Sequence, residues 1–355
     1  MDQRYGHRDH ETTVNPRLPL SDIVRDLPPS VPFVGPETLE RRRQRALQVR
    51  IGANESVFGM SPVAAAAIHT AVEDLWKYND PEAHELVAAL ATHHGVPTPM
   101  LHVGAGIDEI LGDLVRIFAN PKDRIVTSLG SYPTFNYHVS GYGATLVEVP
   151  YVADCADLAG MAQAAHETAA RIVYLANPDN PMGTWNSATD VLDLLDQLPM
   201  DCMLILDEAY ADFAPAAAIP PMDHADPRLV RTRTFSKAHG MAGARIGYAI
   251  ASACVVATVN KVRNQFGVNR LAQVGALASL GDTAFISGVV QQVADGRSEY
   301  QALAAELGLG HVESATNFLN IDLGSGARAR AVLDGLLARD VFVRMPGKPP
   351  GDRCV

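Results

Sequence analysis

Apolar residues recur along this chain in two alternating rhythms. Short, nearly continuous apolar runs stand at residues 124–128, 145–149, 171–176, 203–207, 230–234 and 246–251. Runs of that length and continuity predict strands buried on both faces. Between many of them, near residues 107–119, 156–168 and 187–198, the sequence reads as helix. The alternation predicts an α/β fold with a largely parallel sheet between helices. Upstream, Ser61-Pro62 reads as an N-cap followed by Pro at the first helical position, opening a helix to about Trp76. A further helix is expected over 81–94. Residues 257–310 read as mainly helical. A strand near 317–322, a helix near 327–339 and a short strand at 341–344 follow, a plausible smaller α+β unit. Residues 1–50, rich in Pro and Arg and weakly periodic, read as an arm with little core of its own. The expected division is therefore an arm at 1–50, a large domain at 51–255 and a small C-terminal domain at 256–355.

Composition adds limits to this picture. The 355 residues suffice for one large and one small domain, and 47% hydrophobic with 19% charged residues is an ordinary folded balance. Lys and Arg number 29 against 40 Asp and Glu, a net charge of −11, which points away from nucleic acid and anionic membranes. Cys155, Cys202, Cys254 and Cys354 lie far apart with no CxxC, as in a reduced cytoplasmic protein. Twelve histidines form no HExxH, and the neighbours His93 and His94 point different ways on a helix, so no metal is expected. The apolar run 248–259 is too short to cross a bilayer, and residues 1–10 are too polar for a signal peptide.

The chemistry-bearing residues fall at strand ends, where open α/β sheets hold ligands. Asn177-Pro-Asp-Asn180-Pro-Met-Gly183 follows one strand, Asp207-Glu-Ala-Tyr210 the next, and Thr234-Phe-Ser236-Lys237 a third. A lysine beside small residues there suits a Schiff base, with Ser236 and Arg245 available for a phosphate. Asp207 suits a pyridinium nitrogen, and Asn180 and Tyr210 a phenolic oxygen. Gly104-Ala-Gly106-Ile107-Asp108-Glu109 opens a helix whose N–H groups suit a phosphate. Phe135 suits stacking on an aromatic ring. Taken singly, each has an ordinary reading: a surface lysine, a strand-end aspartate in a turn, a loop of turn formers, a plain helix start, a packing tyrosine, a core phenylalanine. Taken together they are the set that pyridoxal phosphate requires.

Thr234-Phe-Ser-Lys-Ala-His-Gly-Met-Ala-Gly-Ala-Arg-Ile-Gly-Tyr248 is close to T-[FL]-S-K-A-[FY]-G-[LM]-A-G-x-R-x-G-[YF]. By this segment, and by Asn54-Glu-Ser-Val-Phe-Gly59, Tyr78-Asn-Asp-Pro81, Gly104–Glu109 and Pro133-Thr-Phe135, the chain resembles the fold-type I pyridoxal-phosphate aminotransferases. Within them it resembles the histidinol-phosphate aminotransferase family, over about residues 48–345. The resemblance implies a large domain with a mostly parallel seven-stranded sheet and a smaller α+β C-terminal domain. It makes Lys237 the Schiff-base lysine and the proton carrier at the substrate's Cα. It sets Asp207 on the pyridine nitrogen, Asn180 and Tyr210 on the phenolic oxygen, and Phe135 on the ring face. Thr234, Ser236, Arg245 and Gly106-Ile107-Asp108 would cup the phosphate. Tyr78 would reach the phosphate bound by the other subunit, implying a homodimer with shared active sites. Asn54 and Arg344 fall at substrate-binding positions, Arg344 at one for the distal group.

One feature departs from the pattern. The family's carboxylate-binding Arg, in L-R-I-[ST]-V-G, is expected one position after Val355. The expectation is a truncated chain or, failing that, Arg353 or Arg344 as substitute. The activity implied is amino transfer from histidinol phosphate or an amino acid, aromatic ones included, to an oxo acid such as 2-oxoglutarate. A decarboxylase of the threonine-phosphate type and a non-catalytic cofactor-binding protein are the rival readings.

Overall fold

The structure, a computed structural model, describes residues 18–28, 34–222 and 225–355. Residues 1–17 and 29–33 of the expected arm, including the polar stretch 1–10, lie outside the described residues. The described strands are β1 (Val49–Arg50), β2 (Leu101–Gly104), β3 (Arg124–Ser128), β4 (Thr145–Val149), β5 (Ile172–Ala176) and β6 (Met203–Asp207). They continue with β7 (Leu229–Thr234), β8 (Gly247–Ile250), β9 (Gly310–Val312), β10 (Asn320–Asp322) and β11 (Val341–Phe342).

Seven strands form one sheet in the order β2-β8-β7-β6-β5-β3-β4. From β4 to β7 neighbours are parallel, and β8 runs antiparallel to both β7 and β2. The alternation along β5 shows why its sequence is continuously apolar. Ile172, Tyr174 and Ala176 pack into one core with Ile110 and Leu114 of helix Ile107–Phe118. Val173 and Leu175 pack into another with Met161 of helix Leu158–Thr168 and Leu194 of helix Ala188–Gln197. Both faces are covered, so no position along the strand is left for a polar residue.

The apolar runs locate six of the seven strands to within a residue or two. β2 has no signature of its own, being four residues long with His102 buried inside it. The helix Pro133–Gly141 is equally silent, because only Phe135 and Val139, one turn apart, are buried.

Helices Arg270–Gly281 and Thr283–Glu306 precede the antiparallel pair β9-β10, and helix Gly326–Ala338 leads to β11. The described end of the expected arm is tied down by long-range contacts. β1 pairs in parallel with β11, Arg43 reaches the buried Asp340 carboxylate at 2.7 Å, and Arg45 pairs with the same group. Residues 36–50 therefore pack with the C-terminal unit. A two-residue strand and an Arg-rich helix carry no apolar period, so their sequence could not show it.

Topology sets the position of the site. The chain passes from β3 outward to β4 and returns on the other side of β3 to form β5, so the strand order reverses there. Ligands in such sheets bind outside the carboxyl ends of the strands at the reversal. Because β8 is antiparallel, its N-terminal end reaches the same edge. Gly247 pairs with Thr234 of β7 on one side and with Gly104 of β2 on the other. The loops after β2 and β7 and the segment leading into β8 thus meet at one place. The turn after Lys237 fits only because Gly240 has φ +66°, where a Cβ would come within 1.9 Å of the Gly59 carbonyl oxygen.

Candidate active site

A cavity of about 320 Å³ opens at this edge. Of the residues expected there, Ile107, Asp108, Asn180, Asp207, Tyr210, Thr234, Ser236, Lys237 and Arg245 line it. They come from four separate connections, those after β2, β5, β6 and β7. Lys237 is not a surface lysine: Phe235, Ser236 and Ala238 around it are buried, and Phe235 packs between His239 and Tyr248. Its Nζ donates to the Asn54 carbonyl oxygen at 3.0 Å and lies 5.4 Å from the centre of the Tyr210 ring. Asn54 Nδ2 in turn donates to the Tyr210 hydroxyl at 3.0 Å.

Asp207 ends β6 at 5% exposure. Burial pushes its carboxyl up to about 6, although the Tyr174 hydroxyl donates to it at 2.6 Å and the Ala209 N–H at 3.0 Å. Two donors thus hold the carboxylate without restoring its ordinary range. It is a buried anion whose environment favours a cationic partner.

Arg245 stands at the far strand end with φ +58°. Its guanidinium donates to Asp108 Oδ2 at 3.1 Å and reaches the Ser236 hydroxyl at 3.5 Å. Asp108 also accepts from the Tyr132 hydroxyl at 2.7 Å. Helix Ile107–Phe118 starts beside them from Gly106, and among the described residues no side chain caps its first N–H groups. A Cβ on Gly106, at φ +81°, would lie 2.4 Å from Arg245 Nη2, so glycine is what lets the guanidinium reach the helix start. Thr234 braces this turn, its hydroxyl accepting from the Ser236 N–H at 3.0 Å.

Of the other expected residues, Gly106 and Asn54 adjoin the cavity without lining it, Phe135, Tyr78, Arg344 and Arg353 do not line it, and two lining aromatics were not expected. Phe135 is fully buried and stacks on Tyr174 with centroids 4.1 Å apart, so it backs the site instead of lining it. The cavity is lined by Tyr132, the N-cap of helix Pro133–Gly141, and by Tyr174. Without that helix no sequence reading could decide which aromatic of Tyr132-Pro-Thr-Phe135 faces outward. Tyr78 is 80% exposed, packs on Phe266 and does not line this chain's cavity. Arg344 does not line it either. Arg353, the other candidate anchor, is held by Asp322 at 2.7 Å and Asp154 at 2.8 Å.

The loop that carries Asn180 is anchored by its neighbour. Asp179 is buried and accepts from the Met182 N–H at 2.8 Å and from the Tyr151 hydroxyl at 3.1 Å. Burial pushes its carboxyl up to about 7. Stability from such a raised group is present at low pH and is lost as pH rises through about 7. Tyr151→Phe removes a donor that favours the ionised form. It should lower stability by about 1–3 kcal/mol above pH 7 and by less at pH 5, read from denaturant midpoints at both pH values. An equal loss at the two pH values would contradict this account.

The family model for aminotransferase class I and II matches residues 47–352. A histidinol-phosphate aminotransferase of Roseiflexus castenholzii is 37% identical over 346 residues, 95% of this chain and 92% of that protein. The crystal structure of histidinol-phosphate aminotransferase from Sinorhizobium meliloti, in complex with pyridoxal-5'-phosphate, superposes with a TM-score of 0.92 at 44% identity. It covers 95% of this chain and 91% of its own. An aspartate aminotransferase from Thermus thermophilus, 24% identical with a TM-score of 0.75 over 91% of this chain and 90% of its own, shares the fold. Matched over most of its length in sequence and in fold, the chain belongs to the aminotransferase class I and II family and, within it, to the histidinol-phosphate aminotransferases.

Proposed function

We propose that the chain is a pyridoxal-phosphate-dependent aminotransferase that takes an amino group from histidinol phosphate, or from an amino acid, and passes it to a 2-oxo acid such as 2-oxoglutarate. The observation that carries this reading is the convergence of Lys237, Asp207, Asn180, Tyr210, Ser236 and Arg245 on one cavity. The residues present fit the cofactor. The uncapped helix start beside Arg245 and Ser236 suits its phosphate, and Asp207, a buried carboxylate short of a cation, suits its ring nitrogen.

When bound, pyridoxal phosphate supplies an electron sink for the substrate's Cα carbanion. The chain supplies the rest. Lys237 carries the cofactor and then moves the proton at the substrate's Cα. Asp207 would hold the ring nitrogen protonated, and Asn180 and Tyr210 would donate to the phenolic oxygen. The Tyr132 ring at the cavity wall takes the stacking role expected of Phe135. The reading extends to a cytoplasmic homodimer in which the exposed Tyr78 reaches the other subunit's cofactor phosphate.

A half-reaction screen tests the substrate class. Loaded protein is mixed with histidinol phosphate and a panel of amino acids, and loss of the visible cofactor band is followed. Histidinol phosphate is expected to discharge the band fastest, with release of the matching oxo compound. Carbon dioxide release with no oxo product would overturn amino transfer in favour of decarboxylation.

A further inference from the structure

The Asn54 carbonyl oxygen, on which Lys237 Nζ rests, takes a second donor: Asn317 Nδ2 at 3.1 Å. Asn54 is also tied through its own side chain to the Tyr210 hydroxyl. One backbone oxygen therefore joins the lysine to Asn317, which lies 263 positions from Asn54 along the chain. Asn54 holds this place with φ +54°, a backbone conformation that side-chain bonding on both sides helps to maintain.

Asn317 is presented by a tightly bonded turn. The Ser314 and Thr316 hydroxyls both donate to the Phe318 carbonyl oxygen, at 2.6 and 3.1 Å. The Thr316 N–H donates back to Ser314 Oγ at 3.1 Å. Phe318 then sets its ring edge-on to Tyr210, centroids 5.5 Å apart at 83°. The turn thus touches two residues of the site and lines none of the cavity. Asn317 Oδ1 is buried with no hydrogen-bond partner among the described residues. An unpaired buried amide oxygen is costly, and an apolar residue of the same size would avoid it. Packing alone does not account for an asparagine here, whereas the bond from Nδ2 does.

We propose that Asn317 is a positioning residue for Lys237: by holding the Asn54 carbonyl it sets where the lysine amine rests when that amine is not bonded to the cofactor. The proposal rests on the reading of Lys237 as the cofactor-bearing lysine. It makes the amine's position depend on a distant segment of the chain, through one side chain that does not line the cavity.

The test is a short pulse of acetic anhydride on cofactor-free protein, followed by peptide mapping. The acetylation rate of Lys237 is compared with those of the exposed Lys77 and Lys261 in the same tube. Asn317→Leu should raise the Lys237 rate relative to both controls by about threefold, the scale of one hydrogen bond. Asn317→Gln, which keeps an amide donor, should bring it back toward the wild-type ratio. An unchanged ratio in Asn317→Leu overturns the proposal. If that variant does not fold, Asn317→Ala is read in the same way. If neither folds cooperatively, the residue is structural and the proposal also fails. Uptake of pyridoxal phosphate is followed in parallel by the visible band. Failure of wild-type protein to develop the band sinks the functional reading, and it does so independently of the labelling ratios.

Discussion

Replacing Lys237 by Ala is expected to abolish amino transfer, by about a thousandfold or more, and to remove the visible band that marks the cofactor bound to the lysine. The size follows from two losses at one atom. In the proposed function Nζ would be both the covalent anchor and the group that moves the proton at Cα; positioned acid–base groups alone are worth about 10²–10⁴-fold. Folding should survive, because Nζ makes one hydrogen bond, to the Asn54 carbonyl oxygen, and the neighbours Phe235 and Ala238 keep their packing. Thermal unfolding of the cofactor-free variant should therefore stay close to wild type. Activity within tenfold of wild type in Lys237→Ala would mean that another residue carries the chemistry.

Asp207→Asn should lower the rate by tens to thousands of fold, because removing one member of a buried charge pair costs roughly 2–5 kcal/mol. Its effect on the cofactor-free chain has the opposite sign. The Asp207 carboxyl is pushed up to about 6 by burial, against an unfolded value of about 3.9. Between those values the folded chain binds the extra proton, so the stability this group contributes is present below pH 4 and is lost as pH rises through about 6. A two-unit shift is worth about 3 kcal/mol. Asp207→Asn should therefore be more stable than wild type at pH 7.5 in the absence of cofactor, with the difference shrinking toward pH 4. Loading should reverse the order, since the cation at the ring nitrogen then favours the carboxylate. Denaturant midpoints at both pH values, with and without pyridoxal phosphate, check this. A variant less stable than wild type at pH 7.5 without cofactor would refute it.

Much of the site is written locally. Lys237 with its small neighbours, Asp207 at the end of an apolar strand and Asn180 in a loop of turn formers could each be placed at the carboxyl edge of a strand. That follows because buried parallel strands announce themselves as continuous apolar runs. Other features left no local trace. Tyr132 and Phe135 are both aromatic and three residues apart, and a helix without an apolar stripe decides which one lines the cavity. The pairing of β1 with β11 depends on residues some 290 positions apart, and neither strand has a periodicity to reveal it. Asn317 is one of several asparagines in the chain, and only the approach of its turn to Asn54 gives it a partner.

What the sequence by itself determined was the α/β architecture, the strands that carry the site and most of the residue types that line its cavity. Those depend on periodicity and on residue chemistry within a few positions of one another. The tertiary structure decided which aromatic faces the cavity, that Arg353 is spent on Asp154 and Asp322, and where the Lys237 amine rests. These depend on contacts between segments far apart in the chain, and such contacts come from packing, which no local pattern encodes.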